Sequence, residues 1–122
     1  MKKIIYLWTE EFGWMPFDFD SEEIKKELAE RRIYIGSYAK IGYNAKIGDN
    51  AKIGSFAEIG YDAKIGDNVK IGDDAKIGDN AKIGSYAEIG YNVKIGDNAE
   101  IGYNAKIGYN AKIGDNAKIC ND

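Results

Sequence analysis

Histidine is missing from all 122 residues. With it go the commonest general base near neutral pH and the imidazole ligands that most catalytic zinc sites use. The one cysteine, Cys120, excludes an intrachain disulfide and suits a reducing compartment. Thr9 is the only threonine, so no flat threonine array of the ice-binding kind can form. No apolar run approaches the roughly 20 residues of a membrane-spanning helix. Residues 4–8 follow Met1-Lys2-Lys3 much as a signal peptide's apolar core would. The run is too short for that, however, is closed by Thr9-Glu10-Glu11 and lacks a small-residue cleavage site. A cytoplasmic protein is the expectation. A basic excess is missing as well: 17 Lys and Arg against 20 Asp and Glu leave a net charge of −3, which gives no ground for nucleic-acid binding. The glycines recur as G-x5-G, matching neither a dinucleotide fingerprint nor a phosphate-binding loop. The Asp-Asn pairs fit neither an EF-hand nor a calcium β-roll, so no metal or cofactor is expected.

What the chain has in abundance is a period of six. From Ile35 to Ile119 an isoleucine occupies every sixth position, preceded two residues earlier by Ala, Val or Ile and followed by Gly, or by Cys120 at the last unit. Within a unit such as Ala75-Lys76-Ile77, the two-residue alternation of a strand puts Ala and Ile on one side and Lys on the other. Gly and the Asp, Asn or Tyr pair after it break the strand, and Asn or Asp tolerates positive φ at a corner. Each unit is therefore one short strand and one turn. A lone unit cannot bury its own isoleucine, whereas stacked units bury it against one another.

Residues 1–32 are of a different kind, which divides the chain into an N-terminal cap (1–32) and a repeat domain (33–122). Residues 2–8 are rich in β-branched and aromatic side chains and read as a strand. Residues 12–17 read as a loop dense in large apolar groups. The large apolar groups here either cover an open end of the repeat array, with Trp8, Trp14, Met15 and Phe17 in the cap, or form a ligand or partner surface built from Trp14, Met15 and Phe17. A helix is expected from about Ser21 to Arg32. Asp20 would be its N-cap with Glu23 completing a capping box, Phe19 and Ile24 a hydrophobic staple, and Glu22–Lys26 and Glu27–Arg31 its i,i+4 pairs. Its narrow apolar stripe, Ile24 and Leu28, must rest on something, and the first coil of the repeat is the expected support.

Units such as Ile47-Gly48-Asp49-Asn50-Ala51-Lys52 resemble the hexapeptide repeat of the bacterial acyltransferase superfamily. The resemblance covers everything after the helix. It implies an all-β fold, a left-handed parallel β-helix with three hexapeptides per triangular coil, so that 33–122 makes five coils of 18 residues with a strand and helix cap before them. The hand follows from the resemblance alone, since this fold departs from the right-handed crossover rule. Trimers are common in that superfamily. Its acyltransferases generally use a histidine base in a groove between subunits, and carbonic anhydrases of the same fold hold zinc through histidines. This chain has no histidine, and its repeats run without the interrupting loops such enzymes usually carry.

A coil of 18 aligns side chains in columns. The outward strand positions form three ladders: Lys40-Glu58-Lys76-Lys94-Lys112, Lys46-Lys64-Lys82-Glu100-Lys118 and Lys52-Lys70-Glu88-Lys106. The corners stack residue pairs. The first carries rings at Tyr38, Phe56, Tyr91 and Tyr109 with Asp73-Asp74 between them. The second carries Tyr43 and Tyr61 and then Asp79, Asp97 and Asp115. The third has Asp49 and Asp67 followed by Tyr86 and Tyr103. These rings either stack on each other within the chain or form a stripe for self-association.

Two functional expectations remain. Residues 47–71 and 77–101 are nearly identical but displaced by 30 residues, which is not a multiple of 18, so the copies fall on different faces. A core needs only the period, whereas an active site needs particular faces. The favoured expectation is a non-catalytic structural solenoid that forms homo-oligomers, either through the first-corner rings or through the strand edges of a last coil ending without a cap, near Ile119 and Cys120. Cys120 is either idle or pairs between molecules. The alternative is an acyltransferase-like protein that binds an acyl-CoA or a sugar substrate between subunits.

Overall fold

The computed structural model describes the backbone of residues 4–9, 13–18 and 22–119, with side chains from residue 22 onward and at Pro16 and Asp18. It is nearly all-β, with three parallel sheets forming a solenoid of about five turns. The first face stacks β4 (Lys40–Ile41), β7 (Glu58–Ile59), β10 (Lys76–Ile77), β13 (Lys94–Ile95) and β16 (Lys112–Ile113). The second stacks β5 (Ala45–Ile47), β8 (Lys64–Ile65), β11 (Lys82–Ile83), β14 (Glu100–Ile101) and β17 (Lys118–Ile119). The third stacks β3 (Tyr34–Ile35), β6 (Lys52–Ile53), β9 (Lys70–Ile71), β12 (Glu88–Ile89) and β15 (Lys106–Ile107). The parallel register pairs Lys40 with Glu58, Ile41 with Ile59, and Lys76 with Lys94, so the coil is 18 residues and the ladders read from the sequence stand in the structure.

Two sets of backbone hydrogen bonds join the coils. Along each strand, Lys46 N donates to Ala63 O (2.9 Å) and Gly48 N to Ile65 O (2.8 Å), a pattern that repeats up the stack. At each corner the second residue donates one coil back, as Asn68 N does to Asp49 O (2.9 Å). That second residue has φ near +60° in every described unit, at Asn or Asp in eleven of fifteen cases. A turn whose third residue has positive φ is the form that Gly or Asn ordinarily fills. The interior is apolar throughout: the inward Ala and Val of the middle coils are fully buried, the isoleucines nearly so, and no polar or charged residue among those described is buried. Gly60 illustrates how tightly the coils approach. A Cβ there would lie 2.5 Å from Asp79 N and from Gly78 C, both backbone atoms of the next coil.

The N-terminal segment differs from its sequence reading in two ways. The stretch expected to be a loop over 12–17 contains a strand, β2 (Gly13–Asp18), antiparallel to β1 (Ile4–Thr9). β1 runs parallel to β5, with Ile5 opposite Ala45 and Leu7 opposite Ile47, and so supplies the second face with a strand one coil earlier. Pro16 lies on the outermost strand of that sheet, where a proline's missing N–H is tolerated. The second difference is at the helix, α1 (Glu22–Glu30), which stops short of the expected Arg32. Arg32 takes φ 58°. Its N–H donates to Ala29 O (3.1 Å) and that of Ile33 to Leu28 O (2.9 Å), the bond pair of a Schellman cap. Arg31 O in turn accepts from Asn50 N (2.9 Å), the bond every later corner makes. Arg31-Arg32 is therefore at once the end of the helix and the first corner of the solenoid. Ile24 is buried and Leu28 packs half-buried against the core. Arg31 bridges helix and solenoid through Glu27 (3.1 Å) and Asp49 (3.4 Å), and Glu22 meets Lys25 (3.4 Å). The side chains of Trp8, Trp14, Met15 and Phe17, and residues Phe19, Asp20 and Cys120, lie outside what is described.

Candidate interaction surface

Outward chemistry is confined to ladders and corners, because everything inward is Ala, Val or Ile. On each ladder one glutamate stands in register with a lysine on either side, and exposed cross-strand pairs of this kind are worth a few tenths up to about 1 kcal/mol. The corners hold the rings. Tyr38, Tyr43, Phe56, Tyr61, Tyr86, Tyr91, Tyr103 and Tyr109 are all exposed, from 43% at Tyr43 to 78% at Tyr38, and Tyr34 is exposed on the third face. Within the first corner the four rings form two separate sets. Tyr38 and Phe56 occupy the second, positive-φ position and stack at 5.2 Å with planes 18° apart. Tyr91 and Tyr109 occupy the first position, beyond Asp73-Asp74. At the third corner Tyr86 and Tyr103 meet edge-on at 5.7 Å. Intrachain ring contact therefore exists for Tyr38–Phe56 and Tyr86–Tyr103, yet it leaves these rings about half exposed or more.

Sequence reasoning assigned positive φ to Asn and Asp and missed that Tyr38, Phe56 and Tyr86 share it, with φ between 63° and 66°. A bulky side chain there costs about 1–3 kcal/mol, while one ring pair returns about 0.5–1.5 kcal/mol. The signal was present: in all three units the order Tyr-Asn is replaced by Ser-Tyr or Ser-Phe. Also missed was the work of the corner aspartates. Asp67, Asp73, Asp79, Asp97 and Asp115 each accept, through Oδ1, the N–H of the residue one coil earlier at 2.8–2.9 Å. Their vertical alignment was legible, but that the carboxylate reaches down to a backbone donor was not.

The first face bears a groove of about 580 Å³ whose floor includes Lys40, Glu58 and Lys76 and whose wall includes Tyr43, Tyr61 and Asp79. No group of three or more metal-ligating side chains is found among the described residues. Of the remaining residues singled out from the sequence, Ile119 is half-buried on the last described strand. No described helix is long and apolar enough to cross a membrane.

The uninterrupted coils and their inward isoleucines define a hexapeptide-repeat solenoid. The family described as bacterial transferase hexapeptide (six repeats) matches residues 31–61, 62–95, 74–109 and 92–122, and the chain belongs to it. Among solved structures it is similar to serine acetyltransferase isoform 3 from Entamoeba histolytica, in complex with cysteine. The two share 25% identity and a TM-score of 0.73, over 86% of this chain and 41% of that one. It also aligns with a maltose O-acetyltransferase from Clostridium difficile, at 20% identity and a TM-score of 0.36, over 84% and 73% of the two chains. The chain thus spans about two-fifths of the length of the serine acetyltransferase. No curated protein sequence matches it.

Proposed function

We propose that this chain is a non-catalytic member of its family, a structural solenoid that associates with copies of itself through its ring-bearing corners. The observation that carries this reading is the combination of an uninterrupted solenoid with a sequence of 122 residues that contains no histidine. The near-copy of residues 47–71 at 77–101 supports it further, because a displacement of 30 residues keeps the core and moves every outward residue to another face. Exposed aromatic residues in clusters are what protein–protein contacts favour, and oligomers are common in families this chain resembles. The lone cysteine suits a reducing compartment such as the cytoplasm. Calorimetry and thermal unfolding with acetyl-CoA test the reading: no binding heat and an unchanged melting temperature are expected, and saturable binding that raises the melting temperature overturns it.

A second reading has a specific observation in its favour, the similarity to a serine acetyltransferase over 86% of the chain. In it the protein is an acyltransferase-like subunit that takes an acyl-CoA or a sugar substrate between protomers. The same titration separates the two readings.

A further inference from the structure

Each unit turns two side chains side by side toward solvent, the second corner residue and the strand residue two places on. On the third face the first three coils fill these positions with Arg32 and Tyr34, Asn50 and Lys52, and Asn68 and Lys70. The strand register stacks the three coils directly on one another, and no carboxylate interrupts them at either position. The first face is broken by Glu58 and Asp74 and the second by Asp62 and Glu100, so neither holds three such coils in a row. Arg32, Asn50, Lys52, Asn68 and Lys70 line one groove of about 420 Å³, with Tyr86 and Glu88 at its end one coil beyond Lys70. Arg32 is the only cation among the fifteen described residues at positive φ. None of the five side chains in the basic part of the groove has a hydrogen-bond or ion-pair partner among the described residues. The carboxylates of the same corner are engaged elsewhere: Asp49 pairs with Arg31 (3.4 Å), and Asp67 accepts the N–H of Asp49 (2.9 Å).

We infer that this groove docks an acidic, extended segment of a partner protein, laid along the solenoid axis. The inference goes beyond the structural reading above and does not depend on self-association. Cations recur in the groove once per coil, so at a strand spacing of ~4.8 Å the Arg32 and Lys70 positions are roughly 10 Å apart along the axis. Carboxylates on alternate residues of an extended peptide are about 6.6 Å apart, a difference that the long Arg and Lys stems absorb. Between the cations stand Asn50 and Asn68, whose side-chain amides each offer donors and an acceptor. A peptide backbone presents both in alternation, whereas a chain of phosphates presents acceptors alone. The groove therefore matches a peptide better than a polyphosphate or a nucleic-acid strand. The chain as a whole carries a net charge of −3, so this run is a local reversal of its sign. Glu88, in register with Lys70, marks where the acidic stretch of the partner ends. Exposed ion pairs are individually weak, and binding depends on the three cations acting together.

Fluorescence anisotropy of labelled hexaglutamate against the full chain tests this. Saturable binding is expected at low ionic strength, weakening as salt is raised. Lys52→Gln and Lys70→Gln should each lower the affinity about threefold, and the triple variant R32Q/K52Q/K70Q at least about tenfold. The pair K94Q/K112Q removes as much charge from the first face as K52Q/K70Q removes from the third, and should leave the affinity within about twofold of the parent. Glu88→Lys carries the basic run into a fourth coil and should tighten binding about threefold. All the substituted side chains are exposed, and far-UV circular dichroism with melting curves establishes that the variants are folded. A parent that does not bind hexaglutamate overturns the inference. So does a loss for K94Q/K112Q as large as that for K52Q/K70Q, or an E88K variant that binds no tighter than the parent. Tripolyphosphate or oligothymidylate that displaces the labelled peptide at lower concentration than unlabelled hexaglutamate overturns it too, by making phosphate the ligand of the groove.

Discussion

The inward columns and the corners of this solenoid are made by the same units yet obey different rules. Inward, Ala or Val and Ile recur without a break through the middle coils and are almost wholly buried. At the corners, Ser, Tyr, Phe, Asp and Asn exchange places from one coil to the next, and every ring is exposed. Burial of apolar area stabilises any residue that fills the triangle, so the interior constrains size and period. The corners are constrained by backbone conformation and by what lies one coil away, and side chains are otherwise free to serve a purpose. Stability is thus written into the inward positions, and the corners are where the sequence is free to vary.

Substitutions can break that division, the interior ones hardest. Replacing Ile77, 3% exposed in the central coil, by Ala should cost about 2–5 kcal/mol in denaturant unfolding. An exposed corner change such as Tyr91→Ala should cost a small fraction of that. Gly60→Ala comes next, at roughly 3 kcal/mol, because its Cβ would meet backbone rather than a movable side chain. Gly108→Ala is the matched control: nothing lies within 4 Å of its added Cβ, and the change should stay within about 0.5 kcal/mol. Corner chemistry that acts between coils is intermediate. Asp97→Ala removes the acceptor of Asp79 N (2.9 Å) and should cost about 1 kcal/mol, with Asp97→Asn retaining most of it. Smallest, and opposite in sign, is Arg32→Gly at the junction of helix and solenoid. Relieving a non-glycine residue at φ 58° should raise stability by about 0.5–1 kcal/mol in thermal unfolding.

The interior was almost wholly legible before the structure. A period of six with alternation inside each unit turns every isoleucine to one side, and the three units per coil that the resemblance implies give the 18-residue register. The family resemblance supplied the triangular coil and its hand, which no local preference dictates. The cap was less legible because its logic is tertiary. Gly13 and Pro16 argue locally against a strand, yet β2 forms since it has β1 to pair with and lies at a sheet edge. Helix propensity carried α1 on to Arg32, whereas the first corner of the solenoid claims Arg31 and Arg32. The corner rings could be placed in columns from sequence alone. Their positive φ and the aspartate clamps could not, because both depend on the position of a backbone 18 residues away.

The proposal that the period builds the rod, that the rings join rods and that acyl transfer has no place in the chain is decided by sedimentation equilibrium of the full chain with and without saturating acetyl-CoA. The expected result is a mass above the monomer's at high protein concentration that acetyl-CoA does not alter, with no acetyl-CoA bound. A chain that stays monomeric at every concentration and takes up acetyl-CoA stoichiometrically would contradict it.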